Sequence, residues 1–266
     1  MKPSNLEQFL SAAVRASRIA GAIVRRGFRS EQAVEFKGFA DPVTQFDKAS
    51  EEAAVGHLLS RFPGHSILTE EKLSREADTS HRWIIDPLDG TVNFTHRIPF
   101  VSVSIALELE GRIAVGVVYN PVLEELYTAI RGGGACLNGK PIHVSSASEI
   151  GKSLVATGFP YARDGRIEEL MKPMPVFLRD YQGYRRLGSA TMDLVYVARG
   201  SFEGFYEENL KPWDTAAGIL LVEEAGGRVT DYYGNPYSVR GNTILATNGL
   251  IHSPMADMLR DVKPPK

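Results

Sequence analysis

The chain has 266 residues, a formal net charge of −2, 43% hydrophobic and 23% charged residues, and a single cysteine, Cys136. These values describe a globular protein with length for one large domain or two smaller ones. They exclude a disulfide-stapled fold and a global basic field of the kind that attracts nucleic acid or membrane surfaces, and a lone thiol fits a reducing cytoplasm.

In chain order, Leu6, Phe9, Leu10, Ala13, Val14, Ile19, Ile23 and Val24 predict a long amphipathic helix ending near Gly27. This opening stretch lacks the charged start, apolar run and small-residue cleavage site of a signal peptide. A second helix is expected over 46–62, with Val55, Leu58, Leu59 and Phe62 on its apolar side and Pro63-Gly64 as its stop. Short strands are expected at 66–69 and 82–86. Val101, Val103, Ile105, Leu107 and Leu109 alternate with Ser102, Ser104 and Glu108, which predicts a half-buried strand too short to span a bilayer. Glu110-Gly111 signals a tight turn, followed by return strands at 113–119 and 125–130 and the Gly132 to Gly134 loop, an antiparallel meander. The last third predicts a strand at 153–157, a helix at 167–178 despite Pro173 and Pro175, a helix at 191–199 and a strand at 202–206. A helix at 215–224 closed by Gly226-Gly227, a strand at 243–246, a helix at 253–262 and a frayed tail at 263–266 complete it. No internal repeat or low-complexity linker interrupts this mixed α and β order.

The chemistry concentrates in carboxylates. In "WIIDPLDGTVNF", residues 83–94, an apolar strand ends in Asp86 and Asp89 around Pro87. With Pro87 in a turn, both side chains can enter one small volume, where they repel unless a proton or cation intervenes. Oxygen-only ligands without His or Cys favour a hard ion, Mg²⁺ first. Gly90 allows unusual backbone and Thr91 adds a hydroxyl; a helical turn starting there would offer N–H groups to an anion beside the metal, which means phosphate. Aspartates that merely end a strand and open a turn are the competing explanation. Glu70 and Glu71 close the preceding strand, at the end where open α/β sheets bind ligands, and Glu71 also reads as a solvated loop residue. Asp214 sits at the start of the 215–224 helix, where capping alone is a sufficient role. Asp47, in "DPVTQFD", either caps a helix or holds a catalytic hydroxyl. Gly151-Lys152-Ser153 is not a phosphate loop, because Ser146 stands where that motif needs glycine. The Asn93-Phe94-Thr95 sequon carries little weight in a cytosolic protein. The histidines are scattered, with His57, His65 and His81 expected on surfaces or loops.

Taken in order, these segments resemble the inositol monophosphatase family of magnesium-dependent, lithium-sensitive phosphatases. "WIIDPLDGTVNF" is similar to its Asp-Pro-(Ile/Leu)-Asp-Gly-Thr motif, and "PWDTAAGILLVEEAGG" (212–227) to its Trp-Asp-x-Ala-Ala…Glu-Ala-Gly-Gly motif. "DPVTQFD" and "TEE" match two shorter motifs, and the resemblance runs from the first helix to about Gly249. It implies metal ligation by Glu70, Asp86, the Leu88 carbonyl, Asp89 and Asp214, with two to three Mg²⁺ per site. It implies that Glu70, with Thr91 and Asp47, orients the attacking water. Asp89, Gly90, Thr91, Gly188, Ser189, Ala190 and Glu207 are then substrate contacts, and Lys37 matches a lysine near the site. Thr69 departs from the glycine expected before the paired glutamates, and Lys37 to Asp41 is one residue shorter than in animal members.

The implied fold is a layered α/β (α+β) αβαβα sandwich of the inositol monophosphatase and fructose-1,6-bisphosphatase type. It would be a single domain over 1–266. Its 1–150 half would hold most metal ligands, and its 151–266 half would hold Asp214 and the substrate pocket. The implied reaction is hydrolysis of inositol monophosphate, a small phosphorylated polyol, by a cytoplasmic homodimer with no membrane or nucleic-acid partner. Fructose 1,6-bisphosphate, histidinol phosphate and 3′-phosphoadenosine phosphate are alternative substrates. A family member acting also as a protein- or RNA-associated regulator, and a metal-stabilised structural protein, are the alternatives outside catalysis.

Overall fold

The computed structural model describes residues 6–38, 41–160 and 165–263, so the expected frayed tail lies outside the described residues from 264 onward. Helix α1 (Glu7–Phe28) buries Phe9, Ala13, Ala16, Ala20 and Val24 along one stripe. Its Gly21 faces the Tyr119 ring, where a Cβ would come within 2.6 Å. Strands β1 (Val34–Gly38) and β2 (Asp41–Thr44) form an antiparallel pair. The 41–44 stretch is therefore a strand, and α2 (Gln45–Arg61) starts directly after it with Thr44 as its cap.

The next strands are β3 (His65–Thr69) and β4 (Asp78–Asp89), then the short helix α3 (Thr91–Thr95). The meander β5 (Ser102–Leu109), β6 (Arg112–Asn120), β7 (Glu125–Ile130), β8 (Gly134–Leu137) and β9 (Lys140–Pro141) follows. Among the described residues these strands make one seven-stranded sheet in the order β3 to β9. β3 runs parallel to β4, and the later pairs are antiparallel. Positive φ at both Glu110 and Gly111 closes the β5–β6 hairpin in the twist that suits adjacent strands.

The remaining elements are β10 (Leu154–Thr157), α4 (Ile167–Met171), α5 (Met174–Asp180), β11 (Gly183–Arg185), α6 (Ala190–Ala198), β12 (Gly204–Glu208), α7 (Pro212–Glu224), β13 (Arg228–Thr230), β14 (Thr243–Thr247) and α8 (His252–Leu259). The sheet they contain has the order β11-β10-β12-β14-β13 among the described residues. A single 3-10 turn at Ile150–Lys152 occupies the false phosphate loop. The helix expected over 167–178 is two, because Pro173 has no N–H to continue α4 and instead caps α5.

Side-chain alternation defines the layers. Trp83 and Ile85 of β4, with Val103 and Ile105 of β5, pack in one core with Ala13, Ala16 and Ala20 of α1 and Leu58 of α2. Ile84 and Ala106 on the opposite face pack with Met192 of α6 and Leu220 of α7. The same core takes in Ala156, Phe205 and Ala246 from the second sheet, whose other face packs Val155, Tyr206 and Leu245 against Phe177 of α5 and Met255 of α8. The order is helix, sheet, helix, sheet, helix: the αβαβα sandwich.

This layering overturns the half-buried reading of β5. Ser102 and Ser104 are 0% and 1% exposed, because α6 and α7 cover the face they occupy. Their hydroxyls lie 3.1 Å from Thr191 Oγ1 and 3.4 Å from the Trp213 carbonyl. Burial on both faces removes the polar side that alternation leads one to expect. His65 and His81 are likewise strand residues whose rings stack at 4.6 Å, with Phe62 4.8 Å from His65, while His57 is half-buried on α2.

Candidate active site

Pro87 is inside β4 and forms no turn. Asp86 pairs with Ser104 and Asp89 with Ser102, so three steps on β4 oppose two on β5. This is a β-bulge. In a regular strand, residues three apart face opposite sides. The extra residue brings Asp86 and Asp89 to one face, the side that Ser102 and Ser104 turn toward α6 and α7. Ser50 of α2 fixes the bulge by donating to the Pro87 carbonyl at 2.7 Å, and Leu88 N–H donates to Asp86 Oδ1 at 3.0 Å. Gly90, at φ +88°, then turns the chain into α3, and a Cβ there would approach the Phe100 carbonyl to 2.9 Å.

Asp47 takes both roles that the sequence allowed it. Its Oδ2 accepts from Thr44 N–H at 2.8 Å, which caps α2, and its Oδ1 lies 3.0 Å from Thr91 Oγ1. Thr91 Oγ1 is also 3.1 Å from the Leu88 carbonyl, and its single proton can serve only one of the two. Asp214 is in the first turn of α7 and accepts from Lys211 N–H at 2.6 Å. Asp89 accepts from Ser189 Oγ at 2.5 Å, from Thr191 N–H at 2.9 Å and from the Thr191 hydroxyl. Lys37 bridges Glu70 at 3.0 Å and Glu71 at 2.5 Å. Glu71 is no solvated loop residue, since its side chain is 5% exposed and held by that ion pair.

Burial is the main force raising the Asp86 carboxyl far above its ordinary range, and the charges of Glu70, Asp89 and Asp214 add to it. Burial likewise lifts Glu70 to about 7 against the pull of Lys37. Asp214 is raised by burial and by Asp89 and Glu70, opposed by the Lys211 N–H. Burial also raises Asp89, against its bonds from Ser189 and Thr191. Four carboxylates thus repel one another, three of them at the edge of one cavity, the arrangement a cation relieves. As the side chains stand, no three acidic, His or Cys groups among the described residues converge as ready-made ligands, because Lys37, Ser189, Thr191 and Lys211 N–H engage three of the four. The donor set is all oxygen and fits a hard divalent cation by chemistry.

The cavity beside these groups measures about 480 Å³. Glu70, Asp89 and Asp214 line one side, Gly188, Ser189 and Ala190 another, and Glu207 and Lys37 also reach it. Gly158 makes room for Glu207, because a Cβ there would overlap the carboxyl.

The profile of the Inositol monophosphatase family matches residues 5–263. The chain belongs to that family. It is 44% identical to inositol monophosphatase 3 of Solanum lycopersicum, over 92% of this chain and 93% of the other. It is 42% identical to Nus factor SuhB of Haemophilus influenzae over 97% of each chain. The solved inositol monophosphatase of Anabaena (Nostoc) sp. PCC 7120 superposes with a TM-score of 0.88 at 41% identity, covering 98% of both chains. The family fold is that of metal-dependent phosphatases, and the αβαβα order matches it.

Sequence reasoning missed several residues. Glu51, 2% exposed, accepts from Lys72 N–H and Leu73 N–H at 3.1 and 3.0 Å and so anchors the loop after Glu70. Its signal was an acid on the apolar side of α2. Asp193 and Arg186 line the cavity on either side of the Gly188 to Ala190 turn. Asp193 was visible as an acid inside a helix of otherwise apolar residues, and Arg186 had no local signal.

Proposed function

We propose that this chain is a Mg²⁺-dependent phosphomonoesterase that hydrolyses myo-inositol monophosphate. The observation that carries the reading is the buried set of mutually repelling carboxylates on the β4 bulge and α7, beside a Thr91 hydroxyl 3.0 Å from Asp47. Glu70, Asp86, Asp89, Asp214 and the Leu88 carbonyl would hold two to three ions, exchanging their present partners for them. Bound Mg²⁺ supplies charge neutralisation at phosphate and acidifies water. Glu70 and the Thr91–Asp47 pair orient the water for in-line attack, and positioning is most of what phosphoryl transfer asks of a protein. Gly90 and Thr91 meet the phosphate, Gly188 to Ala190 wall the leaving group, and Glu207 accepts a hydroxyl from it. Lys37 holds Glu70 in place until the ions arrive.

A carboxylate at Glu207 suits a polyol and repels a second phosphate, which ranks inositol monophosphate above fructose 1,6-bisphosphate, histidinol phosphate and 3′-phosphoadenosine phosphate. Phosphate release from these four with Mg²⁺ tests the ranking; faster turnover of fructose 1,6-bisphosphate overturns it. The reading extends, on family likeness, to lithium sensitivity, a homodimer and a cytoplasmic setting without nucleic-acid or membrane partners. No helix among the described residues is long and apolar enough to cross a membrane.

A second reading is favoured by the relatives that bear the name Nus factor: a regulatory binding role beside hydrolysis. Proteins that co-purify with the wild type and equally with Asp89→Asn would support it, and capture of none by either would remove it.

A further inference from the structure

Asp193 sits in the first turn of α6 and lines the cavity together with Glu207. It is 1% exposed, and its Oδ1 has no hydrogen-bond partner among the described residues. Its neighbours on the helix are apolar: Leu194, Val195 and Val197 are fully buried. A buried acceptor without a donor is costly, and folded proteins rarely keep one without a use. Glu207 is 8% exposed. Gly158 leaves the space that admits its carboxyl. Arg186, on the same wall, makes no ion pair within 4 Å among the described residues, yet its charge acts on both acids.

Two acceptors, one of them with an unpartnered oxygen, and one cation therefore border the same cavity. Burial first, then mutual repulsion, holds the proton on both acids more tightly than usual, and Arg186 opposes this. A hydroxyl group, which both donates and accepts, satisfies such a carboxyl whether or not it is protonated. A phosphate only accepts and is anionic, and an ammonium only donates.

We propose that Asp193 is a second hydroxyl acceptor, paired with Glu207, and that together they make the cavity selective for phosphomonoesters whose leaving group carries two or more free hydroxyls. This rests on the phosphatase reading above and adds a residue to its specificity. Arg186 balances the pair and keeps the wall from excluding an anionic substrate.

The test compares wild type with Asp193→Leu, which nearly preserves shape and can neither donate nor accept a hydrogen bond. The kcat/KM for myo-inositol 1-phosphate and for p-nitrophenyl phosphate is measured with Mg²⁺, alongside Tm with and without free myo-inositol. The ratio of the two kcat/KM values is expected to fall about ten-fold in the variant, the size of one lost hydrogen bond to a charged group. The loss should be carried mainly by KM for the inositol ester. The ligand-free Tm should hold or rise, since the variant removes an unpartnered buried polar group, while the inositol-induced rise in Tm should shrink. An unchanged ratio, or a fall in ligand-free Tm with equal losses on both esters, overturns the proposal and marks Asp193 as structural. A variant that hydrolyses amino-alcohol phosphates worse and inositol phosphate normally also overturns it, in favour of an ammonium subsite. Should wild type hydrolyse neither ester, the phosphatase reading fails, and the Tm response to inositol still decides whether Asp193 binds hydroxyls.

Discussion

At the scale of single residues, each carboxylate of the candidate site does a structural job that a neutral amide can largely take over. Asp214 accepts one backbone N–H at the start of α7, and Asp89 accepts from Ser189 and Thr191. Asp89→Asn and Asp214→Asn are therefore expected to stay folded by circular dichroism while phosphate release falls below detection. Full activity in both would remove the metal-centred reading. Thr91→Ala deletes the hydroxyl between Asp47 and the Leu88 carbonyl and should lower kcat about 10²-fold while Mg²⁺ still raises Tm, the loss typical of a positioned proton-transfer group. These residues were legible in the sequence because several acids fell at element ends in a specific order of motifs. Asp193 and Glu51 were not, because their meaning comes from what surrounds them: Asp193 shares a cavity with Glu207 from β12, and Glu51 meets the backbone of a loop that begins twenty-one residues later.

At the scale of elements, the long helices and meander strands followed from periodicity, and their ends fell close to the expected places. The misreadings share a cause. Ser102 and Ser104 alternate with apolar residues, which describes a sheet with one wet face, whereas α6 and α7 cover that face. Pro87 suggests a turn to a local reading, but β5 continues opposite it and makes it part of a bulge. Partners distant in sequence decided both. Gly90 joins bulge to helix at φ +88°, with the Phe100 carbonyl 2.9 Å from where a Cβ would stand. Gly90→Ala is expected to cost about 1–3 kcal/mol of stability, as strain at such a position usually does. Urea unfolding checks this, and a loss near zero would mean that the turn relaxes.

At the scale of the whole molecule, two sheets and three helical layers converge their polar ends on one cavity, and its acids tie stability to pH. Glu70 has its carboxyl raised from 4.5 to about 7, and Asp86 and Asp214 are raised further by burial and by one another. Folded-state values above unfolded ones favour the native state fully at low pH, and that contribution drains away as pH rises. The metal-free protein should therefore lose Tm between about pH 5 and pH 7.5 through these groups. Mg²⁺ should raise Tm more at the upper end than at the lower. Asp86→Asn should flatten the metal-free decline; a decline of unchanged steepness in that variant would locate its source elsewhere.

The bulge in β4 also sets a parity. Even-numbered Ile84 and Asp86 face α6 and α7, odd-numbered Trp83 and Ile85 face α1 and α2, and one surplus residue lets odd-numbered Asp89 join the even side. Deleting Pro87 would leave Asp86 and Asp89 two apart, which a regular strand also places on one face, so both acids would keep their side while the bulge itself is lost. A shortened chain would thus lose the Pro87 carbonyl that Ser50 holds and shift the Leu88 carbonyl beside Thr91, where Asp89→Asn changes one side chain alone. The family motif is then as much a spacing rule as a ligand list, and length variation inside it should be far less tolerable than substitution. A lower Tm for the Pro87 deletion than for Asp89→Asn is the expected sign of that rule, and an equal Tm would refute it.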